Sequence, residues 1–348
     1  MTVTRDDVAR TAGVSVATVS YVLNRGPKPV SEDKRRRVME AVTTLGYRPN
    51  AIASSLRARR THILGLVVPD TTNPYFARLS HAIEDAAAAR GYQTVISNAG
   101  DDPERESAQI EAQLRLQIDG LIWIPDDLQR DRPGAPIPLI PTVLVDRAFA
   151  QPISETACDV IESDNHLGGR LAAAHVAGLG HRVVAFLSGP AGHLHTEQRL
   201  LGARETLAAA GIPLPPTLVA HGDFSYSAGA RSGRAWLTLP AGERPTAIVC
   251  ANDAMAIGVL SAVASLGLRV PEDVSVTGYD DVPQAQFTVP PLTTVAQPLD
   301  EMAEEAIVRL LGRIECPADA PPTYHHIFPV RLIERSSSAR LRSVAPSG

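Results

Sequence analysis

The chain has 348 residues, 44% of them hydrophobic and 20% charged, with a formal net charge of −5. Such a length fits two or three globular domains, and such a composition excludes a chain too polar to fold. No apolar run reaches the roughly 18 residues that span a bilayer. The first twenty residues are polar at regular intervals and lack the apolar core of an export signal. Cys158, Cys250 and Cys316 form neither a CxxC pair nor a zinc spacing, so a thiol-keeping cytoplasm is the simplest compartment. Charge is uneven: residues 1–62 hold twelve Lys/Arg against five Asp/Glu, and the remainder holds 21 against 33. A basic head on an acidic body points to a head that meets a polyanion and a body that binds something else. The competing reading is a solvated basic surface with no partner.

In chain order, Thr4 followed by Asp6 and Asp7 predicts an N-cap close to a capping box. Val8, Ala9 and Ala12 share one face of the helix that follows. Gly13 and Val14 interrupt, and Ser15 caps a second helix from Val16 to about Leu23, stopped at Asn24. Arg25-Gly26-Pro27-Lys28-Pro29 is a loop. Ser31 caps a third helix through Val38, Ala41, Val42 and Leu45, ended by Gly46. The segment from Ala51 to Arg57 is too short to hold a helix alone and needs a partner to fold.

From Ile63 the pattern becomes alternation. Strands are expected at 63–69, 92–97, 120–124, 139–146, 183–188, near 219, at 247–251 and at 274–279. Helices are expected at 74–90, 103–118, 165–178, about 196–210, 225–239 and 253–266. Two such cycles predict two α/β lobes with parallel sheets covered by helices. Ligands of such sheets lie beyond the carboxyl ends of the strands, here in the cleft between lobes.

Two short helices around a glycine turn form a helix-turn-helix. Its second helix presents Ser15, Val16, Ala17, Thr18 and Tyr21 outward, and small or hydroxylated side chains suit the major groove. Ser15 and Thr18 as mere cap and surface residues are the alternative. Leu56, beside Arg57, Arg59 and Arg60, has the chemistry of a minor-groove wedge; docking on the body is its alternative.

DVARTAGVSVATVSYVLN, GYRPNAIASSLRARR, GLVVPDTTNPYF, GDF, ANDAMAIGVL and VSVTGYDDVPQAQFTVPPLTTVAQP occur in this order. Together they resemble the LacI/GalR family of bacterial transcriptional regulators from about Thr2 to Ser338. The resemblance implies a small all-α head on a two-lobed body like periplasmic sugar-binding proteins. It implies a helix-turn-helix domain at 1–48, a hinge helix and linker at 49–61, a body at 62–338 and a tail at 339–348. The lobes would comprise about 62–162 with 292–323, and about 163–291 with 324–338. Two heads of a homodimer would read a pseudo-palindromic operator, with paired hinge helices over Asn50 to Arg57 at its centre. Leu56 matches the family's intercalating leucine. Thr4, Ser15, Thr18, Asn24, Ser31, Tyr47 and Asn50 match positions that hold phosphates or groove edges, and Val16, Ala17 and Tyr21 match base-reading positions. Many members carry Arg where Tyr21 stands, so no operator sequence is carried over.

In the body, Tyr75 and Phe76 follow the first strand as stacking platforms, and Asp146, Asn252 and Asp280 lie at or just after strand ends. Arg199 lies early in a helix, and Phe224 follows Gly222-Asp223. Asp146, Arg199, Asn252 and Asp280 also match effector-contacting positions of the family. Carboxylates, an amide and a guanidinium around aromatic rings suit a polyhydroxylated ligand. Asp253 and Asp281 are assigned to caps or surface ion pairs. His195, in a loop with His193, is expected to hydrogen-bond the effector; the HxH lacks a third metal ligand. Trp123 either joins the pocket or only packs. A nucleobase is the alternative effector, and a non-regulatory solute-binding protein is the rival class. Glycine fingerprints and GxSxG are absent, so no enzyme and no cofactor is expected. The family mechanism would couple lobe closure to hinge folding through roughly 1–3 kcal/mol.

Overall fold

The computed structural model describes residues 3–23, 29–47, 60–100, 102–125, 138–147, 158–316 and 323–341. The chain divides into two units, Met1–Thr61 and His62–Gly348.

In the first unit the described helices are α1 (Arg5–Ala12), α2 (Val16–Leu23) and α3 (Glu32–Leu45). The Thr4 hydroxyl accepts from the Asp7 N–H at 3.3 Å, and the Asp7 carboxylate accepts from the Thr4 N–H at 2.9 Å. That reciprocal pair satisfies two donors the helix leaves open. Gly13 ends α1 at φ +61°, a left-handed conformation glycine adopts without steric cost. The turn lets Val8 and Ala9 meet Val19, Val22, Val38 and Ala41 in one small core. Ser31 stands at the N-cap of α3, but its side chain makes no cap bond, which corrects the expected cap. Glu32 and Asp33 in the first turn supply favourable charge there instead.

The second unit alternates strand and helix. Its first lobe is built from β1 (Ile63–Val68), α4 (Pro74–Ala88), β2 (Gln93–Asn98), α5 (Pro103–Arg115), β3 (Gly120–Trp123), β4 (Thr142–Val145) and β5 (Asp159–Ser163). Its second lobe follows with α6 (Asn165–Gly178), β6 (Val184–Ser188), α7 (Leu194–Ala209), β7 (Val219–His221), α8 (Tyr226–Leu237), β8 (Ala247–Cys250), α9 (Asp253–Ser265), β9 (Ser275–Asp280) and β10 (Thr293–Ala296). The chain then returns through α10 (Leu299–Glu315) and β11 (His325–Phe328) and crosses once more to β12 (Arg331–Ile333).

One sheet runs β11-β5-β4-β3-β1-β2, and the other runs β12-β10-β9-β8-β6-β7. Every described pairing is parallel except β12 on β10. The expected lobe limits therefore need correction. Thr293–Ala296 pairs with β9 in the second lobe, and His325–Phe328 pairs with β5 in the first. Crossings fall after Ser163, at Gln297-Pro298 and at Pro329-Val330. Strands of four residues carry too little periodicity to announce their sheet, and only long-range pairing assigns them. The body also extends past residue 338. The Ala339 carbonyl lies 3.1 Å from the His181 ring, and the Leu341 N–H donates to the Leu179 carbonyl at 2.9 Å.

α10 lays Leu299, Met302, Ala306 and Leu310 against Leu79 and Ile83 of α4 in the first lobe's core. Trp123 packs in the adjoining cluster with Val67 and Leu144. In the second lobe, helices approach to backbone contact at glycines. A Cβ on Gly169 of α6 would lie 1.9 Å from the Arg199 carbonyl oxygen of α7, and one on Gly202 would lie 2.2 Å from the His166 oxygen. Gly229 of α8 and Gly258 of α9 mirror this at 2.0 Å each. The first of these crossings fixes the height of α7 and hence of Arg199.

Candidate effector pocket and nucleic-acid interface

On the head, Ser15, Val16 and Ala17 are exposed, while Thr18 and Tyr21 are half-buried. The Ser15 hydroxyl accepts from the Thr18 N–H at 3.2 Å and lies 2.9 Å from the Thr18 hydroxyl. Both hydroxyls thus serve α2's first turn while staying at the surface. Thr4 is exposed within its capping box. Tyr47 is 8% exposed and belongs to the head core, in one cluster with Val8 and Val38. Asn24, Asn50 and Leu56 lie outside the described residues. The basic run of α3 is largely offset within its own helix: Arg36 pairs with Asp33 at 2.8 Å and Glu40 at 3.1 Å, and Arg37 with Asp33 at 3.2 Å.

In the body, one pocket lies beyond the carboxyl ends of both sheets. All eight residues singled out from the sequence line it: Tyr75, Phe76, Asp146, His195, Arg199, Phe224, Asn252 and Asp280. Asn73 and Arg147 line it as well. Asp146 and Phe224 follow β4 and β7, and Asp280 ends β9, at φ of +69°, +62° and +109°. Non-glycine residues rarely take these values, and such strain gathers at functional sites.

The charged groups are held from below. Arg199 donates to the Asn165 amide oxygen at 2.8 Å and the Ala251 carbonyl at 2.7 Å, and its guanidinium lies 3.6 Å from the Tyr279 ring centre. The Tyr75 hydroxyl donates to the Asp146 carboxylate, and its ring meets Phe76 edge-on. Arg147 lies 3.8 Å from the Asp146 carboxylate and 5.3 Å from the Phe76 ring centre. Gln297, on the crossing segment, joins the lobes. Its amide oxygen accepts from the Ser163 hydroxyl and lies 3.3 Å from the Tyr75 hydroxyl, while its nitrogen donates to Asp280 at 2.8 Å.

Burial sets the protonation states. It pushes the Asp280 carboxyl up to about 7, against the pull of Arg199 and the Gln297 amide. It raises the Tyr75 phenol, helped by Asp146. It holds His195 well below the usual imidazole range, with Arg147 and Arg199 acting in the same sense. His195 is therefore a neutral ring, stacked on Phe224 at 17° and 5.7 Å. It stands in the first turn of α7 and not in a loop, and His193 is that helix's N-cap residue. Among the described residues, no group of three or more His, Cys, Asp or Glu converges as a metal site would require.

Asn252 caps α9 through its oxygen to the Met255 N–H at 2.9 Å and donates to the Phe224 carbonyl at 3.1 Å. Its polar atoms thus position Phe224 as much as they face the pocket. Asp253 is not a surface cap: it is fully buried, accepting from the Thr294 hydroxyl at 2.6 Å and the Val282 N–H at 2.9 Å. Asp281 forms the expected ion pair, with Arg335 at 2.6 Å. Arg147 and Gln297 escaped sequence reasoning. Arg147 directly follows Asp146, which was a usable signal; Gln297 lies on a crossing that no local pattern marks.

Known proteins share this layout. Residues 4–50 match the profile of bacterial regulatory proteins of the lacI family, and residues 173–338 match a periplasmic binding protein-like domain. The ribose operon repressor of Escherichia coli (strain K12) is 37% identical over 318 residues, covering 90% of this chain and 94% of the relative. The HTH-type transcriptional repressor PurR of Mannheimia succiniciproducens is 32% identical over 332 residues, covering 95% and 97%. The lac repressor dimer bound to operator and the anti-inducer ONPF gives a TM-score of 0.82 at 30% identity, covering 97% of this chain and 100% of that one. A LacI family regulator from Enterococcus faecium with bound ribose gives 0.67 at 26% identity, covering 80% of this chain and 100% of that one. The chain belongs to the lacI family of bacterial regulatory proteins and is a DNA-binding transcriptional regulator with a helix-turn-helix head and a two-lobed, periplasmic-binding-protein-like body.

Proposed function

We propose that this protein is a repressor that grips a pseudo-palindromic operator as a homodimer and changes that grip when a monosaccharide enters the body's pocket. The observation that carries the reading is the pocket's lining. Two carboxylates, Asp146 and Asp280, and two guanidinium groups, Arg147 and Arg199, line one pocket beside Phe76 and Phe224. Each hydroxyl of a sugar can donate to a carboxylate while accepting from a guanidinium. Phe224 has one face covered by His195, and Phe76 has Arg147 over it, so the rings make a poor slot for a flat base. Relatives named ribose operon repressors support a pentose in particular. The structure with bound ribose supports it too. Ser15, Val16, Ala17, Thr18 and Tyr21 would read the major groove, with Thr4 and Ser31 near phosphates.

The effector acts only through its preference for one lobe geometry. Gln297, bonded to both lobes, is where that preference is first felt. The test is thermal unfolding of the full chain with D-ribose, D-glucose and adenine, alongside retention of genomic DNA fragments. A sugar at a hundred times its dissociation constant should add about 2.7 kcal/mol of stability and alter salt-sensitive DNA retention. Stabilisation by adenine alone would replace the sugar reading with the nucleobase one, and no response to any would remove both.

A further inference from the structure

Beside the pocket, a second set of contacts fastens the lobes together. β9 ends at Asp280, and the next two residues lean across to the first lobe. The Asp281 carbonyl accepts from Nη1 of Arg78, on α4, at 3.0 Å. Val282 is buried in the first lobe's core with Leu79, Ile83 and Met302. The same residues are tied back into the second lobe. Arg335 donates to the Asp281 carboxylate at 2.6 Å, and the Val282 N–H donates to Asp253 at 2.9 Å. Asp280 and Asp281 both hold positive φ, +109° and +52°. Two consecutive strained residues persist only where neighbours on every side over-determine them.

Arg78 is the polar member of this clamp from the first lobe. It is half-buried and borders an open groove lined also by the crossing residues Gln297, Pro298, Pro329 and Val330. Its bond can therefore break into open space without opening a core. We propose that Arg78 is a positioning residue for the effector site: by holding the Asp281 carbonyl it keeps the strand exit that carries Asp280 against the first lobe, and so raises the site's affinity. Arg78 does not touch the pocket itself. The affinity half of this proposal rests on the effector reading above; the positional half does not.

The test uses the full chain and its Arg78→Ala and Arg78→Lys variants. Amide hydrogen exchange in the ligand-free protein reads the peptide covering residues 280–284, and titration with D-ribose reads affinity. Arg78→Ala should speed exchange of that peptide by about tenfold and weaken D-ribose binding by a similar factor. Its unfolding temperature should stay near that of the wild type. Arg78→Lys, which keeps a donor, should restore much of both. Unchanged exchange in the alanine variant, or a lysine variant no better than alanine, overturns the proposal. Faster exchange with unaltered D-ribose affinity overturns it equally. A wild-type protein that ignores D-ribose sinks the pentose reading instead, and the exchange arm still decides the role of Arg78.

Discussion

Burial pushes the Asp280 carboxyl upward, and Arg199 with the Gln297 amide pulls it back to about 7. The consequences have definite signs. Ligand hydroxyls donate to the ionised form, so binding must expel the proton. Monosaccharide affinity should be about tenfold weaker at pH 6 than at pH 8, and it should be flat in Asp280→Asn; isothermal titration at both pH values checks this. For folding, the native value lies above the unfolded value of 3.8. The group's contribution is then full below pH 4 and fades as pH rises through 7. Asp253 beneath it is raised as well, by burial and by Asp280, and it stays bonded to Thr294 and Val282. His195 works differently: held neutral, it offers a flat face beside Phe224.

The helices of the second lobe pack through glycines, and at these positions shape outweighs propensity. Alanine is intrinsically better than glycine in a helix by roughly 0.5–1 kcal/mol. Gly312 of α10 is exposed, and a Cβ added there would meet nothing within 4 Å, so Gly312→Ala should stabilise by about that amount. Gly169→Ala faces the Arg199 carbonyl at 1.9 Å, and backbone cannot swing aside as a side chain can. It should destabilise by about 3 kcal/mol or more and displace Arg199, weakening ligand binding as well. Urea unfolding of the two variants checks both signs; equal effects would show that the α6–α7 crossing is looser than described. Element boundaries were largely legible: α4, α6, α7, α8 and α9 lie within a few residues of the ranges their apolar spacing and caps predict. α10 carried the same helical spacing, from Leu299 to Leu310, yet was not anticipated.

The head and the body divide the molecule's charge between them, positive before residue 62 and negative after it. They also divide its contacts into two units at Thr61–His62. Deleting residues 1–60 should leave a body with its unfolding temperature within about 2 °C of the full chain and with its monosaccharide affinity intact, while DNA retention is lost. Retention by the full chain should fall steeply with salt, because phosphate contacts release counterions. Differential scanning fluorimetry and a DNA-binding series in salt check these outcomes. A body that fails to fold alone would show that the two units depend on each other for stability.

Apolar periodicity, glycine stops and cap residues are local signals. From them the sequence alone determined the helix-turn-helix, the alternation of the body and the strand exits that bear Tyr75, Asp146, Phe224 and Asp280. Within each lobe these exits lie on one edge, because parallel strands aim their carboxyl ends the same way; the facing of the two lobes is what joins them in one pocket. Tertiary structure alone decided what depends on partners far along the chain. It assigned β10 and β11 to their sheets, buried Asp253 against β10, placed Tyr47 in the head core and brought Gln297 beneath Asp280. It also joined Arg78 to Asp281 across 203 residues. Residues so distant leave no mark on each other's neighbourhoods, and only the packed chain makes them neighbours.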